Sequence, residues 1–293
     1  ICQGFAKTGM CSVIIGAVLN IVLDPVFIFG FHMGVSGAAT ATVLSQTASC
    51  AFVLKTLFGK TVPVRITFGG YDWRLIRRIL TIGFTPFIII AMDNVMIITM
   101  NAILQKYGGA ARGDLLITCA TIAQSFMLVV TMPLGGITSG TQAVLAYNFG
   151  AGNTDRVKGA QKYIFILAAA YTTLLFILAR TVGGLFVRLF TSDPTVAAEA
   201  LRAIRIFTLA IIPLAFQYEI VDGFTGLGQV QVALPLSFFR KGLYFVSLFL
   251  LPAMFGAEAA FFAEPVSDIA GPVVSAIVYI VSMKGILAKA GKN

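Results

Sequence analysis

Residues 9–31 read GMCSVIIGAVLNIVLDPVFIFGF, an apolar run with one charged side chain, Asp24. A helix needs about 20 apolar residues to cross the hydrocarbon core of a bilayer, and this run is long enough. Comparable runs follow at 35–58, 79–104, 115–138, 163–187, 203–227, 234–255 and 259–283. Gly and Pro interrupt several of them, which spanning helices tolerate where neighbours satisfy the freed backbone groups. The pattern predicts an all-α polytopic membrane protein with eight transmembrane helices and no separate soluble domain.

Composition points the same way. Of the 293 residues 58% are hydrophobic and 11% charged, against about 25% charged in a soluble domain. That leaves too little polar surface to face water on all sides. The net charge of +9 does not imply a nucleic-acid partner, because the basic residues form no stripe or patch. They lie in short segments between apolar runs, where they orient a chain in a membrane. With the N-terminus inside and the spans alternating, the inner side holds Lys7, Lys55, Lys60, Arg65, Arg74, Arg77, Arg78, Arg156, Lys158, Lys162, Arg240, Lys241, Lys284, Lys289 and Lys292. The outer side holds Lys106, Arg112, Arg180, Arg188, Arg202 and Arg205. This asymmetry predicts that both ends of the chain are cytoplasmic.

The chain divides at residues 59–78. Two spans precede that loop (1–58) and six follow it (79–293). The basic, amphipathic stretch 71–80 with its single Trp73 reads as an interfacial helix between two lobes. A weak internal repeat supports two lobes: MGVSGAATATVLSQ at 33–46 aligns without gaps on FGAEAAFFAEPVSD at 255–268. Gly34 matches Gly256, Ala38 Ala260, Ala41 Ala263 and Ser45 Ser267. If the halves are related, the first also has six spans, four of them before Ile1. The start at Ile1, without initiator Met or a charged n-region, reads as a truncation rather than a signal peptide.

Ionisable residues inside apolar spans are costly and are candidates for function. Asn20 and Asp24 are four apart and share a helix face, and Pro25 leaves the carbonyl of Ile21 without its N–H. Carboxylate, amide oxygen and freed carbonyl together suit Na⁺, or the carboxylate takes a proton. The alternative is a structural Asp bonded to a neighbouring helix. In the third span Asp93 is flanked by Met92, Met96 and Met100, with Asn94 and Asn101 nearby. Met offers an adaptable apolar wall and the carboxylate would attract cationic ligands; the alternative is packing between helices. Glu219 and Asp222, three apart, either face one cavity and serve coupling or lie near the cytoplasmic end in water. Glu264 and Asp268 read as a hydrogen-bond network that closes the last lobe, the alternative being a role in transport.

Enzymatic chemistry is not expected. No nucleophile–base pair, metal-ligand cluster or phosphate loop is present in the sequence, and His32, the only histidine, sits at a span end. Cys2, Cys11, Cys50 and Cys119 form no CxxC pair and read as small apolar side chains.

Four blocks carry a family likeness: LNIVLDPVFIFGFHMGVSGAATATVLSQ (19–46), QSFMLVVTMPLGGITSGTQAVLAYNFGAGN (124–153), FQYEIVDGFTGLGQVQ (216–231, followed by Arg240-Lys-Gly) and FFAEPVSDIAG (261–271). In order and spacing they resemble the multidrug and toxic compound extrusion (MATE) family, in particular its bacterial multidrug branch. The resemblance implies twelve helices in two six-helix lobes, with this chain matching helices five to twelve. It implies a rocker-type secondary antiporter in the bacterial cytoplasmic (inner) membrane that exports organic cations and other amphipathic drugs in exchange for Na⁺ or H⁺. Asn20, Asp24 and Thr42 match the family's N-lobe cation cluster, which also uses an acidic residue on helix one. Asp93 matches a helix-seven acidic position more loosely, which with Met92, Met96 and Met100 makes the expected drug wall. Two departures stand out. Glu264 replaces the usual Gln before Pro265, and the register of Glu219 and Asp222 against an acidic helix-ten position is open. The expected partners are small-molecule drugs and membrane lipids, with no nucleic acid, no cofactor beyond the coupling ion, no metal beyond Na⁺ at Asp24, and a monomeric state. The rival is a lipid-linked oligosaccharide flippase of a related two-lobe plan. A strongly cationic cleft would favour it, whereas acids rather than Arg or Lys are expected mid-span here.

Overall fold

A computed structural model describes residues 5–59, 69–288 and 290. Lys60, Arg65, Lys289, Lys292 and Cys2, named above, lie outside the described residues. The chain divides into two compact units, Ile1–Ile76 and Arg77–Asn293, and the described residues contain helices and no strand.

In the first unit α1 (Ala6–Pro25) leads through a π-helical turn, Val26–Gly30, into α2 (Gly34–Leu57). Pro25 explains the change of pitch. It cannot donate back along α1, and beyond it the ladder widens, with the Phe31 N–H reaching the Val26 carbonyl at 2.9 Å. Single π turns of this kind concentrate at functional sites. His32 (φ 53°) and Gly34 (φ 56°) then turn the chain into α2. Small residues let α1 and α2 approach closely, as between helices in lipid. A Cβ at Gly16 would meet Ser49 at 3.4 Å, and the Ser49 hydroxyl donates to the Ser12 carbonyl at 2.7 Å.

Helix α3 (Trp73–Gly150) starts in the last residues of the first unit and has most of its length in the second, where Gly109 (φ 64°, ψ −172°) breaks it into two arms. Gly108 and Gly113 make the fold-back possible, since a Cβ at Gly108 would lie 2.9 Å from the Gly113 Cα. There follow α4 (Thr154–Thr181), α5 (Gly183–Val187), α6 (Pro194–Phe207), a 3₁₀ turn (Thr208–Ala210), α7 (Ile211–Gly226), α8 (Val230–Phe255), a second 3₁₀ segment (Ala257–Phe262) and α9 (Ala263–Leu287). Buried Met100, Leu104 and Leu116 pack with Phe207 and Ile211 in one core, and Leu145, Phe224 and Leu236 in another. Large apolar residues such as Leu189 and Val281 cover the outside, as hydrocarbon requires.

Eight helices are long and apolar enough to span a membrane, and they coincide with the eight expected runs. The ends differ. The fourth span runs on to Gly150 and the sixth begins at Pro194, because polar residues dilute hydropathy without breaking a helix. At 194 the start has a local cause: Asp193 Oδ1 accepts from the Thr195 and Val196 N–H groups at 2.7 and 3.4 Å, and Pro194 fits the first helical position. Residues 73–80 form the first turns of the helix that continues as the third span.

The internal repeat has a structural counterpart. Gly34 and Gly256 both take positive φ (56° and 88°) at the start of the last span of their unit, a conformation open to glycine. One helical face further on, Ala41 and Ala263, and Ser45 and Ser267, are buried in both.

Candidate functional site

In the first unit α1 and α2 bring three side chains together. Asn20 Nδ2 donates to Asp24 Oδ1 at 3.2 Å and to Thr42 Oγ1 at 3.4 Å. The Thr42 hydroxyl donates to the Ala38 carbonyl at 2.9 Å, which leaves its lone pairs directed at the cluster. The amide therefore bridges two oxygens from two helices, one turn from the Ile21 carbonyl, whose usual i+4 N–H donor Pro25 lacks. Gly37 sets the helix spacing: a Cβ there would lie 2.9 Å from both the carbonyl carbon and oxygen of Phe27.

In the second unit two cavities share Asp93, Tyr218 and Arg240. The larger, about 360 Å³, is lined by Met96, Gln124, Phe207, Tyr244 and Glu264 besides these three. The smaller, about 170 Å³, adds Gln217, Asp222, Ser237 and Lys241. Asp93 and Met96 thus face the same space. Met92 and Met100 do not line it, and Met100 is fully buried in the core.

The sequence reading of Arg240 and Lys241 needs correction. Both lie well inside α8, not in an inner loop. The Arg240 guanidinium donates to Asp268 Oδ1 at 2.8 Å, with side chains 13% and 0% exposed. Lys241 Nζ is ion-paired to Asp93 Oδ1 and donates to the Ile89 carbonyl at 3.0 Å. Hydropathy and charge counting cannot separate a basic loop residue from one paired inside a bundle. The expectation that only acids lie mid-span fails for the same reason. Gly271 makes room for the arrangement: a Cβ there would lie 2.8 Å from Arg240 Cγ.

Asp222 and Glu219 look in different directions. Asp222 lines the smaller cavity and accepts from Thr138 Oγ1 at 2.5 Å and Gln142 Nε2 at 3.0 Å. Glu219 is buried, and neither of its carboxyl oxygens has a hydrogen-bond partner among the described residues. A Cβ at Gly223 would lie 3.8 Å from Glu219 Oε1 and 3.0 Å from Gln161 Nε2, so the two unpartnered groups flank one glycine. The Tyr279 hydroxyl donates to Gln161 Oε1 at 3.0 Å. Thr138, Gln142, Gln161 and Tyr279 escaped the sequence reading, because neutral polar residues near span ends carry no signal of their own. Glu264 lines the larger cavity, while Asp268 is the buried anchor of Arg240.

Helices long and apolar enough to span a membrane, with cavities of mixed charge among them, define a polytopic membrane protein. The comparisons specify which. The MatE family model matches residues 90–250, more than half of the chain, and the chain belongs to that family, the multidrug and toxic compound extrusion proteins. It is 25% identical over 257 residues to the multidrug export protein MepA of Staphylococcus aureus strain MSSA476, covering 86% of this chain and 55% of the relative. The MepA of Staphylococcus haemolyticus strain JCSC1435 is 24% identical, covering 81% and 52%. The chain therefore spans about half the length of the curated relatives it matches. Among solved structures, a multidrug-resistance MATE transporter in an outward-facing conformation superposes with a TM-score of 0.86 at 21% identity, covering 97% of this chain and 64% of that one. A MATE crystal structure in complex with MaL6 gives the same values.

Proposed function

We propose that the protein exports amphipathic organic cations by secondary antiport against Na⁺ or H⁺, as a multi-pass protein of the bacterial cytoplasmic membrane with both ends inside. Asn20, Asp24 and Thr42 hold the coupling ion. Asp93 and Met96, with the aromatic rings around them, hold the drug, and Asp222 and Glu219 are further coupling candidates. One lobe comprises residues 1–58 and the other 79–293, and the protein works as a monomer without a cofactor. Coupling requires each ligand to prefer a different state of the transporter, since a ligand with equal affinity for both shifts nothing.

The observation that carries this reading is the charge balance of the cavities. Asp93, Asp222 and Glu264 line them, and Asp268 stands behind, against Arg240 and Lys241 alone. Four carboxyl groups against two basic side chains suit a cationic ligand or a coupling proton better than an anionic ligand. Arg240 and Lys241 are the observation that favours the flippase rival, but each is already paired with a carboxylate, so little positive charge is left for a pyrophosphate. The test uses proteoliposomes holding the protein at its native length. Ethidium accumulation driven by an imposed Na⁺ or proton gradient supports the reading. Accumulation indifferent to both gradients, with turnover of a lipid-linked oligosaccharide, would replace it with the rival.

A further inference from the structure

We propose that Lys241 is a built-in competitor for cationic ligands, a specificity-determining residue whose ammonium occupies Asp93 until a positively charged ligand displaces or shares it. The inference rests on the reading of Asp93 as the ligand's counter-ion.

The two partners are unequally placed. The Lys241 side chain is 3% exposed, while that of Asp93 is 50% exposed. The carboxylate is thus held from behind by an ammonium and open in front to both cavities. Met96 reaches the larger cavity one helical turn on, so a ligand packed against its thioether lies beside the same carboxylate.

The neighbouring cation is not free to act in this way. Arg240 is held by Asp268 on one side and packs over Gly271 on the other. Lys241 has a flexible four-carbon stem and a single-point ammonium, a second acceptor in the Ile89 carbonyl, and Ser237 and Asp222 beside it in the smaller cavity. Its charge can therefore shift from Asp93 without entering an unpaired environment. An incoming cation that finds the ammonium still on Asp93 meets like charge, and such juxtaposition is a strong source of discrimination. Neutral ligands in the same cavity gain nothing from displacing it. Lys241 thus sets a threshold for cations alone.

The test measures equilibrium binding of tetraphenylphosphonium, and of a neutral dye of similar size, to the native-length protein in nanodiscs. The variants are Lys241→Met, Lys241→Gln, Asp93→Asn and the double variant Lys241→Met/Asp93→Asn. Removing the ammonium is expected to tighten tetraphenylphosphonium binding about tenfold and leave the neutral dye unchanged, with Gln acting in the same direction as Met. Asp93→Asn is expected to weaken the cation, and in the double variant the effect of losing Lys241 disappears. Weaker or unchanged cation binding in Lys241→Met, with Asp93→Asn still weakening it, overturns the competitor role while the counter-ion reading stands. Unchanged binding in Asp93→Asn removes the counter-ion reading and the inference with it. Loss of folded protein in both Lys241 variants that Asp93→Asn rescues would assign the ammonium to the scaffold and overturn the inference.

Discussion

Gly37 approaches Phe27 so closely that a methyl group on its Cα would lie 2.9 Å from the Phe27 carbonyl carbon and oxygen. The obstacle is backbone, which cannot swing away, so α2 would have to move. Gly37→Ala should cost about 1–3 kcal/mol and loosen the Asn20–Thr42 contact. Gly16→Ala, whose new methyl meets Ser49 at 3.4 Å, should be tolerated. Thermal unfolding in detergent separates the two; equal midpoints would show that the helices are not locked at Gly37.

Arg240 and Asp268 form the most buried ion pair among the described residues. Removing one partner leaves the other charged and unpaired, at a cost of about 3–5 kcal/mol. Arg240→Met should therefore lower the unfolding midpoint sharply, and Arg240→Met/Asp268→Leu should recover most of the loss. A double variant no more stable than the single one would mean that the pair is not an independent unit.

A second charge cluster contrasts with it. Arg112 and Arg202 reach Glu258 at 2.8 and 3.0 Å, and Glu199 at 3.7 and 3.9 Å. These side chains are one quarter to more than one half exposed. Arg112→Ala should cost no more than about 1 kcal/mol, and the loss should shrink at high salt. Unfolding midpoints of variant and parent at low and high NaCl test this; a large loss that salt does not alter would show a desolvated cluster.

Met96 and Met100 are separated by one turn and by their surroundings. Met96 lines the larger cavity, whereas Met100 is fully buried in the core. Met100→Ala should cost about 2–5 kcal/mol of stability and depress all substrates alike. Met96→Ala should cost less stability and weaken large planar ligands most. Unfolding midpoints and binding of one planar and one compact dye separate the roles, and reversed patterns would contradict the assignment.

Much of this architecture was legible in the sequence because hydrocarbon imposes one-dimensional rules. The eight runs read as spans since each is long enough to cross. The Asn20–Asp24 pair read as a cluster because four residues make one helical turn. What stayed hidden depends on contacts between distant segments. Lys241 and Asp93 are 148 positions apart, and nothing local to Arg240-Lys-Gly distinguishes a pair buried in a bundle from a basic loop. The sequence grouped Met92, Met96 and Met100 by spacing, yet only Met96 reaches the cavity. Glu219 and Asp222 also share a helix, yet only Asp222 finds side-chain donors, in Thr138 and Gln142, while both Glu219 oxygens stay without a partner among the described residues. Gly37 and Gly271 were unreadable for the opposite reason: their role is the space they leave for Phe27 and Arg240.

The central claim is that a coupling ion binds at Asp24. The most direct measurement compares native-length protein and its Asp24→Asn variant in proteoliposomes, with ethidium uptake followed under an imposed Na⁺ or proton gradient and normalised to inserted protein. Asn keeps the size of the side chain and its contact with Asn20 but removes the charge. The account predicts that the variant inserts and still binds ethidium, while uptake driven by the gradient is lost. Gradient-driven uptake equal to the parent's would contradict it.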